Sequence, residues 1–388
     1  MKIKSVEAVR LELPQNASPD SGRRGPSWAE TAEVANPMSV FPEYKRHRSL
    51  WTPKWPEVGV KVTAEDGTWG FGQTSHGRPV AAVIEDHFAT HLAGENCLAI
   101  ERLWDMMFRM SKPYGTQGLT ACAISGVDLA LWDLAGKLQD KAVYELIGGP
   151  TKDKIFCYAT GNDVDWYQEL GFRAFKLACP FGPADGLDGV TWNEEFVARA
   201  RETVGDDAEI MLDCYMAFDV EYTVRLAHRL RPYSLRWMEE FLIPEDISGH
   251  LAVRKRVDWI ALASGEHMTT RFPFQQMIEK RCLDILQPDI NWVGGLTECM
   301  RICHMALGAG LEVCLHGGGN QPFGQHLSLA MPNVRWIERV VQPSPGVPLD
   351  ANPGLPGTAI PRDGYLVPSD APGFGLELKE EWMKPFFS

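Results

Sequence analysis

At 388 residues the chain exceeds a single small domain and has room for a barrel with a further domain attached. Its make-up, 45% hydrophobic and 23% charged, is that of an ordinary globular protein and excludes a disordered or collagen-like chain. A net charge of −13 with no basic run of five residues argues against nucleic acid or an anionic membrane as partner, while a small anionic substrate stays open because a pocket can oppose the global sign.

The opening MKIKSVEAVRLELP alternates apolar and polar residues as a strand does, and it lacks the apolar core of a signal peptide. Residues 57–73, EVGVKVTAEDGTWGFGQ, alternate likewise around Glu65-Asp66-Gly67, which predicts an antiparallel hairpin. Between them, residues 16–56 are rich in Pro, Ser, Arg and Trp without a period; so long a connection is expected to be functional or disordered. Residues 78–112 and 119–138 read as helices, the second carrying a broad apolar stripe of Ile124, Val127, Leu129, Leu131 and Trp132 and ending near Gly136.

From Phe156 the texture changes to short apolar runs separated by helical stretches such as 219–231 and 295–309. The runs are FCYAT, AFKLA, IMLDC, RWMEE, IALASGE, DILQPD, EVCLHG and RWIE. Eight βα-like units predict a (β/α)₈-type barrel, a TIM barrel, rather than an open doubly wound sheet. The remainder, 340–388, is rich in Pro and Gly and reads as a tail returning to the first domain. The predicted division is 1–138, an α+β domain; 139–339, the barrel; and 340–388, the returning segment. No nucleotide fingerprint is present, since Gly70-Phe71-Gly72 stands alone and no GxxxxGK[ST] occurs. The nine cysteines are scattered, odd in number and without a CxxC, which predicts buried free thiols in a reducing cytoplasm rather than a disulfide framework. No run of 18 apolar residues suggests a membrane span.

Three of the runs end in acids, Asp213, Glu239 and Glu266, at gaps of 26 and 27 residues, one strand plus one helix. Such spacing places three carboxylates side by side at the C-terminal ends of neighbouring strands, where barrels build their active sites. Three converging carboxylates would not all stay ionised without a cation, and a hard divalent ion, Mg²⁺, is the economical one. The next three runs continue the series with Asp289, His316 and Glu338. One acid after a strand is commonly a helix N-cap; six consecutive strands ending in ionisable groups form a site. A carboxylate on one imidazole nitrogen fixes the tautomer and raises the basicity of the other, so Asp289 and His316 predict a general base. No GxSxG supports a serine nucleophile.

The segments SGVDLALWDLAGK (125–137), FCYATG (156–161), MLDCYM (211–216), WMEE (237–240), SGEH (264–267), QPDINWVGGLTE (287–298), LHGGG (315–319) and PGFGLEL (372–378) together resemble the mandelate racemase branch of the enolase superfamily. Within it they are most similar to the L-rhamnonate dehydratases. A Lys or His base working with Mg²⁺ is the established pattern of that superfamily. The resemblance implies a capping role for the first domain, completed by the C-terminal segment, with 16–56 as its substrate-specificity loop. It implies that Asp213, Glu239 and Glu266 hold Mg²⁺, that His316 accepts the proton, that Asp289 tunes it, and that Glu338 hydrogen-bonds the developing enediolate, as a neutral acid. Arg48, in HRSLW, matches a substrate-binding arginine. A cytoplasmic homo-oligomer, dimer to octamer, acting on a small acid-sugar substrate is the accompanying expectation.

Two positions depart from the pattern. Related branches end the second barrel strand in Lys-x-Lys, whereas this chain reads Lys176-Leu177-Ala178, leaving Lys176 as a substrate or supporting contact and removing the second base of a racemase. Rhamnonate dehydratases carry a histidine before a tryptophan in the N-terminal loop; here Pro26-Ser27-Trp28 offers the shorter, uncharged Ser27. The expected reaction is therefore dehydration of L-rhamnonate or a close relative to a 2-keto-3-deoxy acid. Alternatives are another aldonic or aldaric acid, an epimerase of the same superfamily, and a catalytically silent barrel with a binding role.

Overall fold

The alternating N-terminal segments become β1 (Ile3–Leu11), β2 (Val58–Ala64) and β3 (Trp69–Thr74). The computed structural model describes residues 1–14, 22–31, 33–44, 50–351 and 354–387. The β2–β3 turn falls on Glu65-Asp66-Gly67, where Gly67 N donates to Ala64 O at 3.0 Å and Thr68 N to Asp66 Oδ1 at 2.9 Å. The sheet is antiparallel, in the order β13-β1-β2-β3, because the C-terminal strand β13 (Met383–Pro385) returns to pair with β1.

The helix Leu119–Gln139 lies against this sheet at very short range: a Cβ at Gly70 would stand 2.1 Å from Ala130 O, so only glycine permits the approach. That helix is long and apolar enough to cross a membrane by length and composition, yet 89% of its apolar window is buried in the protein interior. Asp133 joins three parts of the chain, accepting from Phe71 N (2.8 Å), Lys137 Nζ (2.7 Å) and Phe374 N (2.9 Å).

The reading of 78–112 as one helix is corrected. Helical turns over Gly77–Leu92 stop at Ala93, and a separate helix runs Ile100–Met110. Gly94 takes φ +83° and its N–H donates to Ile3 O (2.8 Å), so the chain breaks there to fasten itself to β1.

Eight parallel strands follow: β4 (Ile155–Thr160), β5 (Ala174–Ala178), β6 (Glu209–Asp213), β7 (Trp237–Glu239), β8 (Ala261–Ser264), β9 (Ile285–Leu286), β10 (Glu312–Val313) and β11 (Trp336–Val340). They pair in chain order from β4 to β10, and β11 pairs with β4, with the short β12 (Tyr365–Leu366) antiparallel beside β4. Between β10 and β11 the ladder is replaced by single contacts such as Val313 N to Asn333 O (3.0 Å). Tyr158, Ala174, Met211, Trp237, Ala263, Ile285 and Cys314 pack together inside the ring, so the barrel is a filled core beneath its rim. The expected helices appear as Val220–Leu230, capped by Asp219 Oδ1 on Tyr222 N (2.8 Å), and Gly295–Gly308. All nine cysteines are buried and free.

Candidate active site

Parallel register brings the acids together at one rim. Asp213 and Glu239 are paired across β6 and β7, and Ala178 lies beside Asp213 across β5 and β6. Glu266 follows β8, Asp289 follows β9, His316 follows β10 and Glu338 lies within β11. Glu239, Glu266, Asp289 and Glu338 are all buried.

Lys176 is not solvated: it is 1% exposed, and its Nζ lies 2.8 Å from Glu338 Oε1 and 3.9 Å from Asp213 Oδ2 and makes a short contact with Glu239 Oε1. Burial disfavours its charge, but the surrounding carboxylates outweigh that and hold the ammonium well above the usual lysine range. Glu239 also accepts from Gln287 Nε2 (2.6 Å) and Trp237 Nε1 (2.9 Å) on Oε2. Its carboxyl is still pushed up to about 8, by burial first and then by Asp213, Glu338 and Glu266, against the pull of Lys176.

Glu338 behaves in the opposite way. Burial raises its carboxyl, but Lys176, His316 and the Thr160 hydroxyl (2.5 Å) bring it down to about 2, and Gly317 N donates to its other oxygen at 2.8 Å. The adjacent buried ammonium thus favours the ionised form of Glu338, where the sequence reading expected a neutral donor.

His316 Nδ1 and Asp289 Oδ2 are 2.7 Å apart, and the other ring nitrogen, Nε2, faces Glu266 Oε2 at 3.6 Å. A carboxylate can only accept, so Asp289 sets Nδ1 as the N–H and leaves Nε2 to face the rim. Burial favours neutral imidazole, but Glu266, Asp289 and Glu338 together hold the ring well above the ordinary histidine range.

Two rim residues received no role from the sequence. His267 Nδ1 lies 2.9 and 3.0 Å from the Glu240 oxygens and 3.6 Å from Glu266 Oε1. Burial works against its charge, but Glu240 and Glu266 raise it to about 9, while burial beside Glu266 lifts Glu240 to about 7. Each directly follows a residue that strand alternation singles out, and alternation points neighbours to opposite faces. β7 ends at Glu239 and β8 at Ser264, before either residue, and Glu240 adopts φ +45°, so the rule ceases to apply there. The signals in the sequence were adjacency to a rim acid and a place in the WMEE and SGEH segments.

The most compact trio of potential ligands among the described residues is Glu240, Glu266 and His267, whose donor atoms lie within 4.8 Å of one another. Asp213 and Glu239 instead lie against Lys176, whose charge Glu266 also favours. All three acids offer hard oxygen, the donor a hard divalent cation prefers, so this set suits one. The compact trio contains an imidazole already paired with Glu240 and suits Mg²⁺ less well.

Ser27 is buried at the start of the turn Trp28–Thr31. Its loop sits on the barrel: Trp28 N donates to Asp163 Oδ2 (2.9 Å), beyond β4, and Trp28 Nε1 to Val341 O (3.0 Å), beyond β11. Arg48 lies outside the described residues.

A family model described as the mandelate racemase / muconate lactonizing enzyme N-terminal domain matches residues 52–148, and one described as enolase C-terminal domain-like matches 162–382. An L-rhamnonate dehydratase of Saccharopolyspora erythraea is 38% identical over 386 residues, covering 98% of this chain and 97% of the relative. The solved L-rhamnonate dehydratase of Gibberella zeae is 33% identical with a TM-score of 0.88, covering 99% of this chain and 96% of the other. A second structure from Gibberella zeae, a rhamnonate dehydratase complexed with Mg, matches with the same TM-score of 0.88 and coverage at 32% identity.

Proposed function

The chain belongs to the enolase superfamily, in its mandelate racemase / muconate lactonizing enzyme branch, and from that premise we propose that it dehydrates an acid sugar, L-rhamnonate or a close relative, to a 2-keto-3-deoxy acid. The observation that carries this reading is the His316–Asp289 pair, 2.7 Å long, whose other ring nitrogen faces the buried Glu266 at 3.6 Å.

In this reading Asp213, Glu239 and Glu266 hold Mg²⁺, as the chemistry of their oxygens allows. Bound there, the ion supplies positive charge that stabilises the enediolate formed from the substrate carboxylate. Neutral His316 removes the proton from carbon 2 through Nε2, and the C–H electrons move into the carboxylate. That neutral state requires the negative charge of Glu266 to be offset, since Glu266 is what most strongly opposes the burial effect on the imidazole. Protonated His316 then returns its proton to the 3-hydroxyl. The C3–O bond breaks, water leaves, and the C2–C3 double bond of an enol forms and ketonises.

Lys176 is the donor best placed to share the enediolate charge, while ionised Glu338 fixes the Lys176 ammonium and accepts from Thr160. Elimination, rather than epimerisation, follows from the absence of a second base: Ala178 stands where a Lys-x-Lys would place it, and Lys176 is tied into the carboxylates. Ser27 in place of histidine leaves the identity of the sugar to the N-terminal loop.

A screen of aldonic and aldaric acids with Mg²⁺, read out as 2-keto acid, tests the proposal. Turnover of L-rhamnonate or a neighbouring sugar acid is the expected result; retention of the hydroxyl with inversion at carbon 2 would favour an epimerase, and no turnover of any acid would overturn the reading.

A further inference from the structure

The two sheets of the molecule meet at the turn after β9, where side-chain hydrogen bonds join them. Thr74 Oγ1, fully buried at the end of β3, donates to Asn291 O at 2.7 Å. Asn291 Nδ2 donates to Gln73 O at 2.7 Å and to Gln321 Oε1 at 2.8 Å. Trp292 Nε1 donates to Ser75 Oγ at 3.1 Å. A main-chain carbonyl can only accept, so the bond to Gln73 O fixes which end of the Asn291 amide is nitrogen.

The other side of the same turn reaches the proton acceptor. Asn291 N donates to Asp289 Oδ1 at 2.7 Å, and Asp289 Oδ2 holds His316 Nδ1 at 2.7 Å. The Trp292 ring lies beside His316, centroids 5.2 Å apart. Both oxygens of Asp289 are thus engaged, one by the imidazole and one by a backbone N–H whose own place is set by the antiparallel sheet. An aspartate held by one oxygen can rotate about its side-chain bonds; held by both, it fixes the direction of Nε2.

We propose that Asn291, supported by Thr74, is a positioning residue: the antiparallel sheet sets the angle of His316 through the series Thr74–Asn291–Asp289–His316. The kinetic consequence rests on the dehydratase reading; the geometric one does not. A base displaced by about 1 Å loses on the order of 10²-fold in rate.

Two variants test this. Asn291→Ala removes the amide, and Thr74→Val removes only the hydroxyl while keeping a β-branched shape suited to a strand. In the Mg²⁺-loaded enzyme, kcat per folded molecule is expected to fall about 10²-fold in Asn291→Ala and roughly tenfold in Thr74→Val, with KM changed less than about twofold. In protein labelled with ¹⁵N-histidine, the downfield Nδ1–H signal that disappears in His316→Asn is expected to shift or broaden in both variants. Lower folded yield alone would leave that signal unmoved. Either arm unmoved in folded protein overturns the proposal, and Thr74→Val decides alone if Asn291→Ala does not fold. If the wild type dehydrates no acid sugar, the dehydratase reading fails separately and the histidine signal still decides this one.

Discussion

The ammonium of Lys176 lies 2.8 Å from Glu338 Oε1 and is shared with Glu239, so one buried cation from β5 balances carboxylates on two strands that are not its shared neighbours in sequence. Removing it in Lys176→Met leaves both acids facing each other at 1% exposure, where solvent screening is weak. Loss of one partner from a buried pair costs about 3–5 kcal/mol. Urea unfolding without Mg²⁺ should show a loss of that order, and Mg²⁺ should restore part of it by supplying another cation to the folded state. A variant as stable as wild type without Mg²⁺ would remove Lys176 as the balancing charge.

His316→Asn separates base from metal site. Asparagine keeps a donor for Asp289 but cannot take a proton, so dehydration should fall by about 10³-fold or more, within the range general bases supply. Mg²⁺ affinity, measured by calorimetry, should change little because His316 is not among the proposed ligands. Substantial remaining dehydration would sink His316 as the acceptor.

Spacing made the rim legible in the sequence: Asp213, Glu239 and Glu266 recur at one βα unit each, and parallel register then forces them to one end of the barrel. The barrel itself was equally legible from its eight apolar runs. What spacing could not reveal was the balance of charge within the rim. Lys176 read as a strand-end lysine, and only the fold shows that it lies among four acids and favours the ionised form of Glu338. The break at Gly94 was hidden for a related reason, since helical periodicity on both sides continues past a turn whose purpose is a bond to Ile3. Glu240 and His267 were missed because strand alternation stops where their strands do.

Glu239→Gln tests the ligand set. It removes a carboxylate that burial and its acidic neighbours already push up to about 8, and Lys176 keeps Glu338 as its partner, so folded protein should still be obtained. A cation loses a charged oxygen. Outer partners of metal ligands alone are worth 10–100-fold in affinity, so loss of a ligand should weaken Mg²⁺ binding by roughly 10²-fold or more. Activity as a function of Mg²⁺ concentration, after chelation, checks this; an unchanged half-saturation would count against the Asp213, Glu239 and Glu266 set.

Acid stability should carry the signature of a histidine remote from the rim. His326, fully buried in the helix Pro322–Ala330, accepts from Tyr144 N at 3.3 Å and packs against Phe374. Burial lowers its pKa from 6.5 to about 3, with Asp370 opposing the shift only in part. The fold therefore holds the imidazole neutral while the unfolded chain binds a proton below 6.5. Stability is complete above the unfolded value and is lost progressively as pH falls from about 6.5 toward about 3. At 1.36 kcal/mol per unit, this one site should cost on the order of 3 kcal/mol by about pH 4. His326→Gln keeps an uncharged polar side chain that does not titrate, so it should start less stable than wild type at neutral pH and lose less on acidification. Urea unfolding of the two proteins from pH 7.5 to about pH 4 measures the difference, and curves that fall in parallel would show that protonation of His326 is not what limits the fold in acid.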